Sequence, residues 1–161
     1  KYNTWSSYEP EERAVMIAYG SIYGNTENAA NLLACRLAER GVPNIVMYDV
    51  SVTHPSYILS EAFRCSHLVF ASSTYNGEIF SYMDHLLREM KNHNVQNRTV
   101  ALMENGSWAL MAGKKMTEII SGMKNMTILD GTVTIKSAVK EDQLVDISAL
   151  ASSIADSLFK S

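Results

Sequence analysis

The 161-residue sequence has little of what marks several large classes of protein. It contains only two cysteines, Cys35 and Cys65, and their spacing suits no metal site, which is typical of buried free thiols in a reducing compartment. The formal net charge is −3, so the composition lacks the basic excess of a nucleic-acid-binding protein. No apolar run approaches the roughly 20 residues that span a bilayer, and the first residues do not form a signal peptide. We therefore expect a cytoplasmic protein that binds neither nucleic acid nor membrane.

The sequence also has few histidines, and these are scattered. His54, His67, His85 and His93 show none of the spacings by which histidines share a metal ion. Each is most simply explained as a surface or helix-capping residue. The sequence therefore predicts no metal site.

Apolar runs are what the chain does contain. They are nearly continuous rather than alternating, which is typical of strands that are buried on both faces of a parallel sheet. Five such runs are present, at residues 14–19, 44–48, 67–72, 99–103 and 126–135, the last interrupted by Asp130-Gly131.

Segments with helical periodicity separate these strands. They cover residues 26–40, a shorter stretch from 53–55 onward, and residues 79–90, 112–123 and 144–158. Alternation of strand and helix predicts a three-layer α/β/α domain with right-handed crossovers. Five such units fit a parallel sheet in the order 2-1-3-4-5, in which ligands bind beyond the carboxyl ends of the strands.

The loop after the first strand reads Tyr-Gly-Ser-Ile-Tyr-Gly-Asn-Thr-Glu, residues 19–27. Ser21 and Thr26 offer hydroxyl groups, and Gly24-Asn25 allows a tight turn with exposed amides at the start of a helix. This combination suits a terminal phosphate without basic side chains. An ordinary strand-to-helix turn with a capping residue explains the same residues equally well.

Two familiar phosphate motifs are excluded. Gly20 and Gly24 are spaced wrongly for the dinucleotide fingerprint G-x-G-x-x-G, and Gly113-Lys114-Lys115 lacks the earlier glycine and the hydroxyl of a Walker A motif. The sequence therefore favours neither NAD nor ATP.

The loops after the third and fourth strands each carry an aromatic residue. Tyr75 lies in the loop of residues 72–78 and Trp108 in the loop of residues 104–109. Either residue alone is better explained by packing against a helix. Two aromatic rings on adjacent loops at the ligand-binding edge favour a flat aromatic ligand.

These three loops together resemble those of the flavodoxin family, whose members bind flavin mononucleotide (FMN). The likeness rests on S-x-Y-G-N-T from Ser21, S-S-T-Y-N-G from Ser72 and N-G-S-W from Asn105, and it extends from about Arg13 to Phe159. It implies a flavodoxin-like fold for residues 13–161, preceded by a lead-in segment, residues 1–12. That lead-in and the tryptophan loop are most similar to the C-terminal flavodoxin-like domain of flavodiiron proteins.

The resemblance also assigns a cofactor site but no catalytic side chain, because the flavin itself supplies the redox chemistry. The implied FMN-binding residues are Ser21, Ile22, Tyr23, Gly24, Asn25 and Thr26 around the phosphate, Ser73, Thr74, Tyr75, Asn76 and Gly77 on one side of the ring system, and Asn105, Gly106, Ser107 and Trp108 on the other.

The resemblance further implies a partner and leaves alternatives open. In flavodiiron proteins a metallo-β-lactamase-like domain of the same polypeptide holds a di-iron site that reduces oxygen or nitric oxide, and rubredoxin or another reductase would be the electron donor. A free-standing flavodoxin is the nearest alternative, although its strong acidity is not matched here. An FMN-dependent NAD(P)H quinone or nitro reductase is a second alternative. A flavin-free receiver module is disfavoured, because Ala18-Tyr19-Gly20 supplies no acidic cluster after the first strand.

Overall fold

The protein is built from alternating strands and helices. The computed structural model describes residues 12–20, 25–42, 44–75, 78–79, 81–93, 95, 97–105, 112–123, 125–129, 133–135 and 141–160. The strands are β1 (Glu12–Gly20), β2 (Ile45–Asp49), β3 (Cys65–Tyr75), β4 (Glu78–Ile79), β5 (Thr99–Asn105), β6 (Thr127–Ile128) and β7 (Val133–Ile135). The helices are α1 (Asn25–Glu39), α2 (Pro55–Arg64), α3 (Ser81–Asn92), α4 (Ala112–Ser121) and α5 (Glu141–Lys160).

The main sheet is parallel and confirms the predicted order 2-1-3-4-5. Its strands lie in the order β2-β1-β3-β5-β6, and β7 pairs with the carboxyl half of β5. Two short strands, β6 and β7, therefore share the fifth position, where the sequence predicts one interrupted strand. Asp130 and Gly131, the predicted interruption, lie outside the described residues.

Strand β4 is not among the strands that the sequence predicts. It pairs antiparallel with the end of β3, with Thr74 opposite Ile79 and Tyr75 opposite Glu78, so two residues connect the paired positions. Asn-Gly, the dipeptide at that connection, is the preferred sequence of a two-residue hairpin loop. The predicted helix from residue 79 is therefore wrong at its start, since α3 begins at Ser81.

Two hydrophobic cores lie on opposite faces of the sheet. Strand residues alternate between them: Met16 and Leu68 pack on the face covered by α2, α3 and α4, whereas Ile17 and Val69 pack on the face covered by α1 and α5. Because side chains of a strand alternate between faces, a strand covered by helices on both sides must be apolar throughout. This confirms the three-layer prediction and explains the continuous apolar runs.

Helix α2 shows how polar groups define a helix at both ends. At its start His54 is the N-cap: its Nδ1 accepts a hydrogen bond from the Ser56 backbone N–H at 3.2 Å. At its end the buried Arg98 guanidinium donates to the carbonyl oxygens of Ala62 (3.0 Å) and Phe63 (2.9 Å). A cation that donates to the last carbonyls of a helix also interacts favourably with its dipole.

Two predictions about single residues are wrong. Cys35 is exposed rather than buried, because the buried positions of α1 follow Ala29, Leu33 and Leu37 and Cys35 lies off that stripe. His67 is buried rather than superficial, because it lies within β3, which is covered on both faces. The capping role of His54 and the exposure of His85 and His93 agree with the prediction.

Candidate functional site

The carboxyl ends of the central strands form the candidate site. Gly20 of β1 is the register partner of Ser72 of β3, Ser72 is the partner of Glu104 of β5, and Glu104 is the partner of Thr134 of β7. β1 ends in this row, β5 ends one residue beyond it, and β3 continues to Tyr75. The three loops that the sequence singles out therefore leave the sheet from one edge, side by side.

The first predicted loop is short and leads directly into α1. Four residues, numbers 21–24, separate Gly20 from Asn25, and they lie outside the described residues. Asn25 and Thr26 are the first two residues of α1, a helix of 15 residues. The first backbone N–H groups of a helix have no partner within the helix, and the positive end of its dipole lies there.

The other two loops begin on adjacent strands. Ser73, Thr74 and Tyr75 are the last residues of β3, and Ser73 is the register partner of Asn105, the last residue of β5. Asn76 and Gly77 lie outside the described residues, as do Gly106, Ser107 and Trp108. The backbone of β3 and β5 therefore brings the starts of both aromatic-bearing loops together.

Two buried polar residues at this edge are absent from the predicted set. Ser72 is completely buried and Glu104 is 8% exposed. By strand alternation both lie on the face covered by α2, α3 and α4, since Phe70 and Leu102, two residues earlier on each strand, pack there. The signal available in the sequence is that each directly follows a buried apolar run and is the first residue of a predicted loop.

Two acidic residues, Glu27 and Asp49, lie near Tyr19 at the end of β1. Tyr19 of β1 pairs with Asp49 of β2, and burial, followed by the nearby carboxylates of Glu27 and Asp49, raises the pKa of its phenol. The Asp49 carboxylate accepts hydrogen bonds from the backbone N–H (2.9 Å) and hydroxyl (2.6 Å) of Ser51. Tyr19 is therefore a neutral hydrogen-bonding group at any physiological pH.

A separate cavity of about 310 Å³ lies between α2 and α3. It contains three of the four histidines, and its lining residues are His54, Pro55, Ser56, Leu59, His85, Glu89 and His93. Within the ranges that the structure describes, no three histidine, cysteine or carboxylate side chains are arranged to hold a metal ion. The cavity therefore adds no metal centre.

Comparison with known families agrees with this topology. The sequence profile of the family described as flavodoxin matches residues 17–148, which include the carboxyl half of the first strand and all three loops. The chain belongs to the flavodoxin family. FMN is the cofactor of this family.

Solved flavodoxin-like structures confirm the fold. Rubredoxin oxygen:oxidoreductase of Desulfovibrio gigas superposes with a TM-score of 0.92 at 23% identity, covering 99% of this chain and 39% of that protein. The flavodiiron protein of Giardia intestinalis gives 0.81 at 18% identity, covering 98% and 40%. An archaeal flavodoxin gives 0.74 at 20% identity, covering 91% of this chain and 99% of the flavodoxin.

This flavodoxin-like chain is shorter than several of its relatives. It spans 39% of the length of two curated relatives, uncharacterized proteins of Methanocaldococcus jannaschii, one of which, MJ0732, is 25% identical over 156 residues. None of the helices in the described ranges combines the length and apolarity needed to cross a membrane.

Proposed function

We propose that residues 13–161 form an FMN-binding electron-transfer domain whose cofactor lies at the carboxyl edge of the sheet. The convergence of β1, β3 and β5 carries this proposal, because it brings the starts of the three predicted FMN loops to one edge. FMN, when bound, supplies the one- and two-electron chemistry, and the protein binds and orients it.

The phosphate would be held by the loop that joins β1 to α1. Ser21 and Thr26 would supply hydroxyl donors, and the backbone from Ile22 to Asn25, which leads into the positive end of α1, would supply N–H donors. This set of donors contains no lysine or arginine. Main-chain N–H and hydroxyl groups would therefore stabilise the phosphate dianion by hydrogen bonds, without a positively charged side chain. This chemistry fits a terminal phosphate ester.

The ring system would lie between the two aromatic loops. Tyr75 follows directly on Ser73 and Thr74 at the end of β3, and Trp108 lies three residues after Asn105 at the end of β5. Because these strands are direct neighbours, rings on their loops are suited to covering a flat tricycle. Enclosure by the rings would exclude water from the flavin.

Discrimination between FMN and riboflavin tests this site. The two ligands share the ring system, so a phosphate cradle makes FMN bind far more tightly. Replacing Ser21 and Thr26 together by alanine should weaken FMN binding at least about tenfold for each hydroxyl lost, and leave riboflavin binding nearly unchanged. Affinities are read from flavin fluorescence quenching and visible absorption on titration.

The matched control removes one serine hydroxyl and one threonine hydroxyl outside the proposed site. Ser153 and Thr127 are both exposed, and the Ser153→Ala/Thr127→Ala variant should bind both flavins like the wild type. If the wild-type chain binds neither flavin, or binds FMN and riboflavin equally, the proposed phosphate cradle is wrong.

We further propose that this domain is part of a flavodiiron-type protein and delivers electrons to a di-iron centre in a metallo-β-lactamase-like domain. The solved relatives with the higher TM-scores are proteins of which this chain covers only about two fifths. The D. gigas relative is a rubredoxin oxygen:oxidoreductase, which supports rubredoxin or a similar reductase as the electron donor here. A cytoplasmic location accords with such partners.

A free-standing flavodoxin is the second candidate, because the archaeal flavodoxin is covered over 99% of its own length. The reading frame upstream of Lys1 distinguishes the two. An H-x-E-x-D-H motif there supports the tethered domain, whereas a start codon immediately upstream supports the free carrier.

A further inference from the structure

The two edges of the main sheet differ in length. On one side the sheet ends at β6 and β7, which have two and three residues. On the other side it ends at β2, a strand of five residues that, within the described ranges, pairs with β1 and with no other strand. Short edge strands are one means by which proteins prevent pairing with another chain. β2 has an ordinary strand length, so this protection does not apply to it.

The backbone of β2 directs hydrogen-bonding groups away from the sheet. Asn44, which precedes the strand, faces β1, because its carbonyl oxygen accepts a hydrogen bond from the Val15 backbone N–H at 2.9 Å. Successive residues of a strand direct their N–H and C=O groups to opposite edges, so Val46 also faces β1. The N–H and C=O groups of Ile45 and Met47 therefore point outward from the edge of the sheet.

The side chains at this edge are apolar and only half-buried. The strand reads Ile-Val-Met-Tyr-Asp, and it contains neither the lysine nor the proline that commonly protects an edge strand. Two large hydrophobic side chains beside it are exposed. Val52, three residues after β2, is 81% exposed, and Tyr57, whose ring centre lies 6.1 Å from that of Tyr48, is 64% exposed. Apolar surface therefore continues next to the outward-facing backbone groups.

We infer that β2 pairs with β2 of a second copy of this chain, antiparallel about a two-fold axis, so that the two sheets become continuous. The register places Val46 on the axis, opposite the partner's Val46. Ile45 and the partner's Met47 then exchange both of their backbone N–H···O bonds, and Met47 and the partner's Ile45 do the same. All the outward-facing N–H and C=O groups of these two residues are satisfied.

This register is self-complementary, as a two-fold interface requires. Ile45 and Met47 belong to the face covered by α1 and lie opposite each other's counterparts, whereas Val46 belongs to the face covered by α2 and meets its own counterpart. Asp49, the charged residue of β2, lies beyond the paired positions. Because the strands are antiparallel, the two aspartates are at opposite ends of the pair, and no like charges oppose each other.

Sedimentation of the 161-residue chain over a range of concentrations tests for the dimer. A pair of five-residue strands with their flanking side chains is a small interface, so we expect a dissociation constant on the order of 10 to 100 μM. Ile45→Lys places one ammonium group on each side of the axis and should weaken the dimer at least about tenfold for each copy of the substitution. Ile119→Lys, which replaces a half-buried isoleucine on α4, is the matched control and should dimerise like the wild type.

A disulfide crosslink tests the register. Opposed residues at a position without mutual hydrogen bonds have Cα atoms about 4.5 Å apart, which a disulfide can span. Val46→Cys is therefore made in a Cys35→Ser background, which lacks the exposed native thiol. Oxidised glutathione, added where the dimer predominates, should convert this variant into a disulfide-linked dimer on a non-reducing gel. Ile119→Cys in the same background is the control and should remain a single chain.

Two results would overturn the inference. One is a wild-type chain that remains monomeric up to about 1 mM, well above the range expected for an interface of this size. The other is a dimer that Ile45→Lys does not weaken or that Val46→Cys does not crosslink, since the interface then lies elsewhere. If Ile45→Lys does not fold, judged by circular dichroism, the crosslink decides. FMN binding is a separate question, because the paired residues of β2 lie outside the proposed FMN site.

Discussion

His67 offers the sharpest test of the energetics of this fold. Its imidazole is buried within β3, with Nδ1 2.7 Å from Ser66 Oγ and Nε2 3.0 Å from Ser157 Oγ on α5. A neutral ring donates through one nitrogen and accepts through the other, and both hydroxyls can adapt to either arrangement. His67→Gln keeps a neutral donor and acceptor at this position and removes the titration.

The magnitude follows from the pKa of the ring. Burial lowers the pKa of His67 from 6.5 to about 4, because it disfavours the charged form. Between these values the unfolded chain binds a proton on this residue and the folded chain does not, so the free energy of unfolding falls as the pH decreases. The loss is about 2 kcal/mol between pH 7 and pH 5, and about 3 kcal/mol once the pH is below the folded-state pKa.

Urea unfolding followed by circular dichroism measures this dependence. Wild type and His67→Gln are unfolded at pH 7, 6 and 5 with equal flavin content, and the difference between them is read at each pH. Titration of the carboxyl groups is common to both proteins and cancels. His85→Gln, which removes an exposed imidazole from α3, is the control variant.

The expected result is that the stability difference between wild type and His67→Gln shifts by about 2 kcal/mol in favour of the variant from pH 7 to pH 5. The substitution itself adds a cost that is the same at every pH, so only the slope is informative. Parallel stability curves for the two proteins would refute the argument that desolvation keeps this ring neutral.

Two further predictions concern α2 and the β3–β4 connection. Arg98→Met should destabilise the fold by about 3 kcal/mol or more, because it leaves the carbonyls of Ala62 and Phe63 without a charged donor; Arg88→Met, an exposed arginine on α3, is the control, and equal urea midpoints for the two variants would count against the capping role. If Gly77 permits the backbone of the Asn-Gly connection to rotate toward the flavin on one-electron reduction, Gly77→Ala should bring the two one-electron potentials of bound FMN closer together, because alanine opposes such a rotation. An unchanged separation in an FMN-loaded variant would exclude this backbone rotation.

Much of the architecture could be predicted from the pattern of apolar residues. The runs that contain Met16, Val46, Phe70 and Leu102 are all strands, and their continuity predicts helices on both faces of the sheet. Helix positions were predictable because the period of 3.6 residues places Met83, Leu86, Leu87 and Met90 on one buried stripe. The first and last residues of each helix were harder to predict, since fraying and capping depend on neighbouring residues in the sequence and in the fold.

Single residues were harder to predict where burial depends on a neighbouring element. His67 follows a polar serine and lacks an apolar signal of its own, so only its place in a doubly covered strand reveals its burial. Strand β4 has only two residues, too few to show any periodicity. It is defined by its antiparallel pairing with Thr74 and Tyr75 at the end of β3. The candidate site was predicted as three loops, two of which begin at Ser72 and Glu104, whereas the burial of these two residues and their pairing in one row emerged only from the structure.

The sequence by itself determined the alternation of strands and helices, the two-sided burial of the sheet and, through three short motifs, membership of the flavodoxin family. Those properties are local, because each is indicated by the spacing of residues within windows of about fifteen positions. The tertiary structure alone decided that Gly20, Ser72 and Glu104 share one row and that β6 and β7 both pair with β5. Such facts depend on the pairing of strand positions 28 or more residues apart, which no local pattern of side chains encodes.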